Sequence, residues 1–406
     1  MSASQIGLIE VSNISPADSQ KIFNIINSEG VKLTAAEILS AKPHWNRKIK
    51  APTEETEKVV KELYGKMDLS LTDIVRWDLP ATLLSHFGEN IVFKKLSWEE
   101  KGEFDKKLTL GFKLLSGICE NGIKKENIEK LATDPDINWE FGIERIISDL
   151  KKVIETIEAY PYFHFLKGWK SSIMELTSEA IALDFILISY LDWKRKGKPS
   201  GSNMQTKIFQ KNCFITWDRL IYEYACRFWR GSSDSTIANN ISALNNKPEL
   251  FEPIKKDEWK KLLNEIHSRS EILGTDVSIL TLKPILYHMY CLRTISAPDT
   301  KYAIEVDHII PQALFNASSI ERKKIVQDNL FNLGLLPKDE NVSKSDKPLK
   351  LIGDSWLKSQ IKIYEFIEKS DFDKFSDVSN YKDLFKKRKK YFDEAFDKYR
   401  DKLINN

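Results

Sequence analysis

The residues whose types could carry chemistry are concentrated near the C-terminal end of the sequence. Residues 305–311 (EVDHIIP) place the carboxylate of Asp307 directly beside the imidazole of His308, and residues 329–336 (NLFNLGLL) lead to an amide at Asn341. Phosphodiester hydrolysis needs a base that activates water and a cation that absorbs charge on the phosphoryl oxygens. An unperturbed imidazole is largely neutral at pH 7 and can act as the base, while carboxylate and amide oxygens suit Mg²⁺ or Mn²⁺. The pattern therefore predicts a metal-dependent nuclease site.

Two strands and a short helix are expected to position these side chains. The apolar run 330–336 predicts a buried strand, and residues 338–347 predict a helix that carries Asn341 and Lys344 on one face. Because neighbouring strand residues alternate between faces, we expect the preceding strand to turn at its Asp-His pair, just before Pro311. Lys344 is then predicted to contact a phosphate, with a solvent-facing lysine as the alternative.

The segment from about residue 303 to residue 347 resembles the HNH, or His-Me finger, nuclease motif. Its wording is similar to that of the HNH domain of RNA-guided CRISPR nucleases. The resemblance implies that His308 is the general base, that Asp307 and Asn341 are metal ligands, and that Asn332 braces the loop orienting the histidine. It also implies one divalent cation and products with 5′-phosphate and 3′-hydroxyl ends. Many HNH domains bind structural zinc through Cys-x-x-Cys pairs, which this sequence lacks, so zinc is not predicted.

A second resemblance lies near the N-terminus. Residues 22–39 (IFNIINSEGVKLTAAEIL) are similar to the closing part of the ParB-like domain of GmrSD-type modification-dependent restriction proteins, and residues 217–234 resemble that family's helical region more loosely. Nothing before Phe23 resembles the family's Asp-Gly-Gln-Gln-Arg type motif, so no nucleotide site is predicted. The chain is then a shortened relative or fragment, or a partner protein supplies the nucleotide-sensing half. The alternative for residues 23–39 is structural: two capped helices around a glycine turn.

Composition and charge limit the other possibilities. A chain of 406 residues with 42% apolar residues is long enough for two or three domains, and a net charge of +3 confines any nucleic-acid affinity to local patches. The strongest patch is residues 385–392 (FKKRKKYF), where Lys387, Arg388 and Lys390 are predicted to contact the DNA backbone. A solvated helix face is the alternative for this run.

Cellular location follows from the cysteines and the apolar stretches. The four cysteines are widely spaced and lack a metal-ligand pattern, which indicates buried thiols in a reducing cytoplasm. The most apolar stretch, residues 181–191, is too short to span a membrane and contains Asp184. A soluble cytoplasmic protein without membrane contact is therefore expected.

Helical periodicity dominates outside the nuclease motif, so we predict a mainly α fold: a helical bundle body with an embedded small ββα-metal (HNH) motif. The expected organisation is a ParB-like remnant at 1–50, a helical domain at 51–200, a helical region at 201–298, the HNH motif at 299–350, and C-terminal helices with the basic patch at 351–406.

The function predicted from these features is a metal-dependent HNH endonuclease that hydrolyses DNA, in restriction or anti-phage defence. The alternative is a catalytically silent nucleic-acid-binding or regulatory subunit of a defence complex. The presence together of Asp307, His308, Asn332 and Asn341 favours the enzyme, since a decayed site has no physical reason to keep the base and both ligands.

Overall fold

Helices make up most of the part of the chain that the structure describes, which confirms the predicted mainly α fold. The computed structural model describes residues 42–66, 73–87, 90–93, 104–120, 122–133, 139, 142–246, 248–268, 279–293, 303–321 and 323–405. The ParB-like similarity at residues 22–39 lies outside these described residues.

In chain order, the helices before the first strand are α1 (Glu54–Lys66), α2 (Asp78–Thr82), α3 (Phe104–Glu120), α4 (Lys125–Leu131), α5 (Gly142–Glu158), α6 (Pro161–Gly168), α7 (Ile173–Leu176), α8 (Glu179–Arg195), α9 (Met204–Ala225), α10 (Ser233–Asn246), α11 (Lys256–Ser268) and α12 (Ile279–Arg293). The elements that follow are β1 (Ile304–His308), α13 (Gln312–Ala317), α14 (Lys323–Gln327), β2 (Leu333–Pro337), α15 (Lys338–Lys344), α16 (Ser355–Gln360), α17 (Phe372–Phe375), α18 (Tyr381–Glu394) and α19 (Arg400–Asn405). Short 3₁₀ turns lie at Leu83–Phe87, Pro248–Phe251, Leu330–Asn332, Leu349–Leu351, Lys369–Asp371 and Val378–Asn380, and π turns at Ile361–Glu365 and Ala395–Tyr399.

The chain divides into two compact units. The first takes its described residues from 1–86, 97–120 and 125–147, and the second from 87–96, 121–124 and 148–406. In the first unit, the buried ring of Trp45 packs edge-on against Phe112 and Trp139, with ring centroids 5.0 and 5.4 Å apart. The Arg76 guanidinium lies over the Trp139 ring, 5.2 Å from its centroid. Edge-to-face aromatic contacts and a cation–π contact therefore contribute to the core of this unit.

In the second unit, α8 is buried on every side along residues 181–193. The Ser178 side chain caps this helix by accepting a hydrogen bond from the Ile181 backbone N–H. A helix that is buried all round lies inside a core rather than at its surface, and α9 and α10 pack against it. No helix in the described part of the chain is both long enough and apolar enough to cross a membrane.

A buried polar cluster joins distant parts of the second unit. Asp218 on α9 accepts hydrogen bonds from Arg400 (2.7 and 2.8 Å) and shares one with the His288 Nε2 (2.9 Å). The other His288 ring nitrogen lies 2.6 Å from the Tyr162 hydroxyl. Burial lowers the pKa of His288, although Asp218 opposes the shift. Buried charges are stable only when they have hydrogen-bonding partners. Because the partners in this cluster come from α6, α9, α12 and α19, the cluster holds these four helices together.

The two strands pair antiparallel beside α12. Ile304 lies opposite Pro337, and His308 lies opposite Leu333. Two tyrosines of α12 anchor the pair: the Tyr287 hydroxyl donates to the Ile304 carbonyl (3.0 Å), and the Leu335 N–H donates to the Tyr290 hydroxyl (3.2 Å). Helix α15 begins at the residue after β2 and packs on both strands.

The Asp184→Asn variant is expected to make stability less dependent on pH. Burial raises the pKa of Asp184 from 3.8 to about 8, although a hydrogen bond from Asn240 opposes the shift. A carboxyl whose pKa is raised on folding contributes stability that is full below its unfolded pKa and is lost as pH rises through its folded pKa. The unfolding free energy of wild type should therefore fall by up to about 1.4 kcal/mol per pH unit relative to the variant between about pH 4 and pH 8. Urea unfolding across that range measures the difference, and parallel curves would contradict the expectation.

Candidate active site

Asp307 and His308 are the last two residues of β1. Asp307 lies opposite Gly334 and His308 opposite Leu333, and the chain bends only at residues 309–310. The turn predicted at the pair is therefore wrong, since the strand continues through His308. As neighbours in a strand, the two side chains lie on opposite faces of the hairpin. The structure gives them different partners, and so does not bring them into one pocket.

The Asp307 face of the hairpin carries oxygen-bearing side chains. Glu305 is two residues before Asp307 and shares its face of β1. Asn341 on α15 reaches this face, where its Nδ2 donates to Glu305 Oε2 (3.1 Å). The Asn341 Oδ1 takes no part in this hydrogen bond, and it is the atom by which an amide binds a cation. Helix α15 thus brings the predicted ligand Asn341 to the side of β1 that holds Asp307.

Lys344, at the end of α15, is fully buried on the same face. Its ammonium donates to the Asp307 carboxylate, to the His308 carbonyl (2.9 Å) and to Glu365 Oε1 (3.3 Å). A phosphate contact needs a side chain at the surface, so the contact predicted for Lys344 is withdrawn. Burial lowers the pKa of Lys344, but Asp307 and Glu365 more than compensate, and its pKa lies above the ordinary value.

Glu365, the last residue of the π turn Ile361–Glu365, completes this buried group. Burial raises its pKa well above the usual range, against the opposing charge of Lys344. The group therefore places one ammonium against the carboxyl groups of both Asp307 and Glu365. Gly334 leaves room for it, because a Cβ there would lie only 3.0 Å from Glu365 Cγ. A glycine opposite Asp307 is therefore needed for close packing of the glutamate on β2.

On the opposite face, His308 meets a carboxylate that sequence reasoning missed. Its Nε2 lies 3.0 Å from Asp328 Oδ1, and the Gln312 amide nitrogen lies 3.1 Å from the same ring nitrogen. His308 and Asp328 side chains are 18% and 17% exposed, so a substrate can reach the pair. Gln312 follows His308 by four residues, a spacing that could have signalled it. Asp328 carries no such signal, because it lies 20 residues away.

Asn332 holds the chain directly after His308. Its side chain accepts a hydrogen bond from the Ile310 N–H (3.0 Å) and donates to the carbonyls of Ile310 (3.1 Å) and Gln327 (2.8 Å). Its own carbonyl accepts from the Ile309 N–H (2.9 Å). Asn332 is fully buried, so these bonds fix the bend that ends β1. A chemical role for Asn332 stays a prediction.

The basic run on α18 contains both buried and exposed side chains. Arg388 is fully buried and donates to the carbonyls of Glu365 and Leu333, both at 2.6 Å. The DNA contact predicted for Arg388 is therefore withdrawn, because the guanidinium holds the backbone of the candidate site instead. Lys387 is partly exposed and paired with Asp371, whereas Lys390 is exposed. Only the lysines of this run remain available at the surface.

Within the described ranges, no group of three or more His, Cys, Asp or Glu side chains is arranged to hold a metal ion. Comparison of the chain with protein-family models, with curated proteins and with solved structures finds no match in any of the three.

Replacing Lys344 by methionine is expected to lower the unfolding free energy by about 3–5 kcal/mol. The change keeps the length of the side chain but leaves the Asp307 charge buried without its partner. Urea unfolding measures the loss, and Lys347→Met, an exposed lysine on the same segment, is the matched control. A Lys344→Met protein as stable as the control would show that the buried charge does not hold the site together.

Proposed function

We propose that this chain is a metal-dependent endonuclease of the HNH type that hydrolyses phosphodiester bonds of DNA with Mg²⁺ or Mn²⁺. The observation that supports it is one unit of two strands and a helix that carries Asp307, His308 and Asn341. Asn332 fixes the bend beside them. Residues that chemistry alone would select for hydrolysis thus lie on one small piece of the fold.

The side chains on the Asp307 face suit a divalent cation. Mg²⁺ binds through one or two carboxylates and keeps several waters, and here the donors would be Asp307 and the Asn341 amide oxygen, with Glu305 bonded to Asn341. The Lys344 ammonium already lies against Asp307 and the His308 carbonyl, which supports a position built for positive charge. When bound, the cation would neutralise charge on the phosphoryl oxygens and the leaving group.

His308 would supply the base from the other face. In an in-line displacement, the attacking water and the leaving oxygen lie on opposite sides of phosphorus. A base and a cation ligand on opposite faces of β1 therefore suit a phosphodiester that crosses the end of the strand. His308 would accept the proton of the attacking water, and Asn332 would keep the backbone after it from shifting during the reaction.

The biological setting belongs to the same proposal. The similarity of residues 22–39 to GmrSD-type restriction proteins supports a role in restriction or anti-phage defence. A partner protein would then supply nucleotide sensing, and modified or phage DNA would be the substrate.

A second candidate function is a regulatory or nucleic-acid-binding subunit without catalysis. It is favoured by the contact between Lys344 and Asp307, which occupies the carboxylate that would bind the cation. The two functions differ in one respect: a silent subunit binds DNA without cleaving it under any metal condition.

The His308→Ala variant should lose DNA cleavage, with a rate roughly 10²- to 10⁴-fold lower, because it removes the general base. Nicking and linearisation of plasmid DNA are measured with Mg²⁺, with Mn²⁺ and with EDTA, and circular dichroism checks the fold. His44→Ala, at an exposed histidine of the first unit, is the control. Cleavage by His308→Ala at the wild-type rate would reject the assignment, and cleavage by no variant with either metal would favour the silent subunit.

The exposed lysines of α18 provide a separate test of DNA binding. Lys386→Glu with Lys390→Glu should weaken binding and flatten its salt dependence, because the logarithmic slope falls by about 0.9 for each phosphate that the protein no longer neutralises. Fluorescence anisotropy in EDTA at several salt concentrations gives the slope. The same double change at Lys58 and Lys61, exposed on α1, is the control. A slope that is equal in both double variants would exclude α18 as the DNA-binding surface.

A further inference from the structure

We infer that Asp328 is the positioning residue for His308: its carboxylate holds the imidazole through Nε2, so that Nδ1 is the nitrogen that accepts the proton from water. This inference rests on the proposed nuclease function and adds to it a residue that the HNH resemblance does not assign. It is carried by the 3.0 Å contact between Asp328 Oδ1 and His308 Nε2.

The residues directly before and after Asp328 are both held by hydrogen bonds. The carbonyl of the preceding residue, Gln327, accepts a hydrogen bond from Asn332 (2.8 Å). The following residue, Asn329, is buried; its side chain accepts from the Phe331 N–H (3.0 Å) and donates to the Ile266 carbonyl (3.3 Å). The Asp328 backbone is therefore fixed relative to α11 and to the start of β2. A carboxylate on such a backbone can orient an imidazole, which a mobile surface residue cannot do.

Gln312 contacts the same group from α13. Its amide nitrogen lies 3.1 Å from His308 Nε2 and 3.5 Å from Asp328 Oδ1, to which it can donate. An amide N–H cannot accept a hydrogen bond, so beside a protonated Nε2 the Gln312 amide supports the Asp328 carboxylate and not the ring. Asp328 is then the acceptor at Nε2, and Nδ1 is the other ring nitrogen, which can face the substrate.

The chemistry of the contact decides the tautomer. An ionised carboxylate only accepts hydrogen bonds, so Nε2 must carry the proton and Nδ1 keeps its lone pair. In the reaction, the water oxygen bonds to phosphorus and the water proton passes to Nδ1. The bond from phosphorus to the leaving oxygen breaks, and that oxygen keeps the electron pair and takes a proton from solvent. The imidazolium that results is stabilised by the negative charge of Asp328, which itself takes up no proton. This is how a carboxylate supports a histidine base in hydrolases.

A purely structural ion pair would behave differently. The two side chains are only 18% and 17% exposed, so removal of the carboxylate is expected to lower stability to some extent in either case. Loss of a purely structural contact would lower the unfolding midpoint and leave the tautomer of His308 and the kcat of the folded protein unchanged. Loss of a positioning residue also changes the tautomer of His308 and the rate constant of the chemical step.

The test measures the tautomer directly, without requiring activity. Long-range ¹H–¹⁵N spectra of protein labelled in its six histidines distinguish the protonated from the unprotonated ring nitrogen, and His308→Ala identifies the His308 signals. Wild type should show the Nε2–H tautomer. Asp328→Ala should show a mixture of tautomers, and Asp328→Glu should restore part of the wild-type spectrum. A wild-type spectrum in Asp328→Ala would overturn the inference.

Plasmid cleavage then measures the consequence. Asp328→Asn and Asp328→Ala should lower kcat roughly 10²- to 10⁴-fold with KM within about threefold, since the carboxylate contacts the base and not the DNA. Asp373→Asn, an exposed aspartate on α17, should cleave like wild type. Undiminished kcat in Asp328→Ala, in an enzyme that His308→Ala inactivates, would overturn the inference alone. If wild type cleaves nothing, the proposed function fails and the inference fails with it.

Discussion

One buried positive charge holds the candidate site together. The Lys344 ammonium contacts the Asp307 carboxylate, the His308 carbonyl and the Glu365 carboxyl, and so joins the end of α15 to the end of β1 and to the π turn. A buried ammonium is stable only while its protons are bonded. The positions of these three elements are therefore fixed together, and Asn341, three residues before Lys344 on α15, is placed over β1 as a result.

The two faces of β1 then take different roles. The face with Asp307 carries the Lys344 ammonium and the oxygen atoms that could bind a cation. The face with His308 carries the side chains that contact its imidazole. Between the faces, buried polar groups fix the backbone: Asn332 holds the bend after β1, and Arg388 holds the first residue of β2. These buried hydrogen bonds hold the backbone around the site in position. A site needs such support if its reactive groups are to stay aligned.

Sequence patterns predicted the elements well and the contacts less well. Helical periodicity predicted the mainly α fold. The predicted strand 330–336 overlaps β2 only from Leu333 onward, because Leu330–Asn332 form a 3₁₀ turn, and the helix predicted from residue 338 begins where α15 begins. The burial of Lys344 and Arg388 could not be predicted, because such side chains are usually exposed and their partners come from distant segments: Asp307 lies 37 residues from Lys344. Asp328 escaped prediction for the same reason, since its role depends on how the 20 residues after His308 fold back.

A crystal structure with manganese tests most directly whether the end of β1 and α15 form the proposed cation-dependent phosphodiesterase site. The inactive His308→Ala protein would be crystallised with Mn²⁺ and an oligonucleotide duplex, and the metal located by its anomalous scattering. We predict a manganese peak within coordination distance of the Asp307 carboxylate and the Asn341 amide oxygen, beside a backbone phosphate. A duplex bound elsewhere, or a peak absent from this face while Lys344 still contacts Asp307, would contradict it.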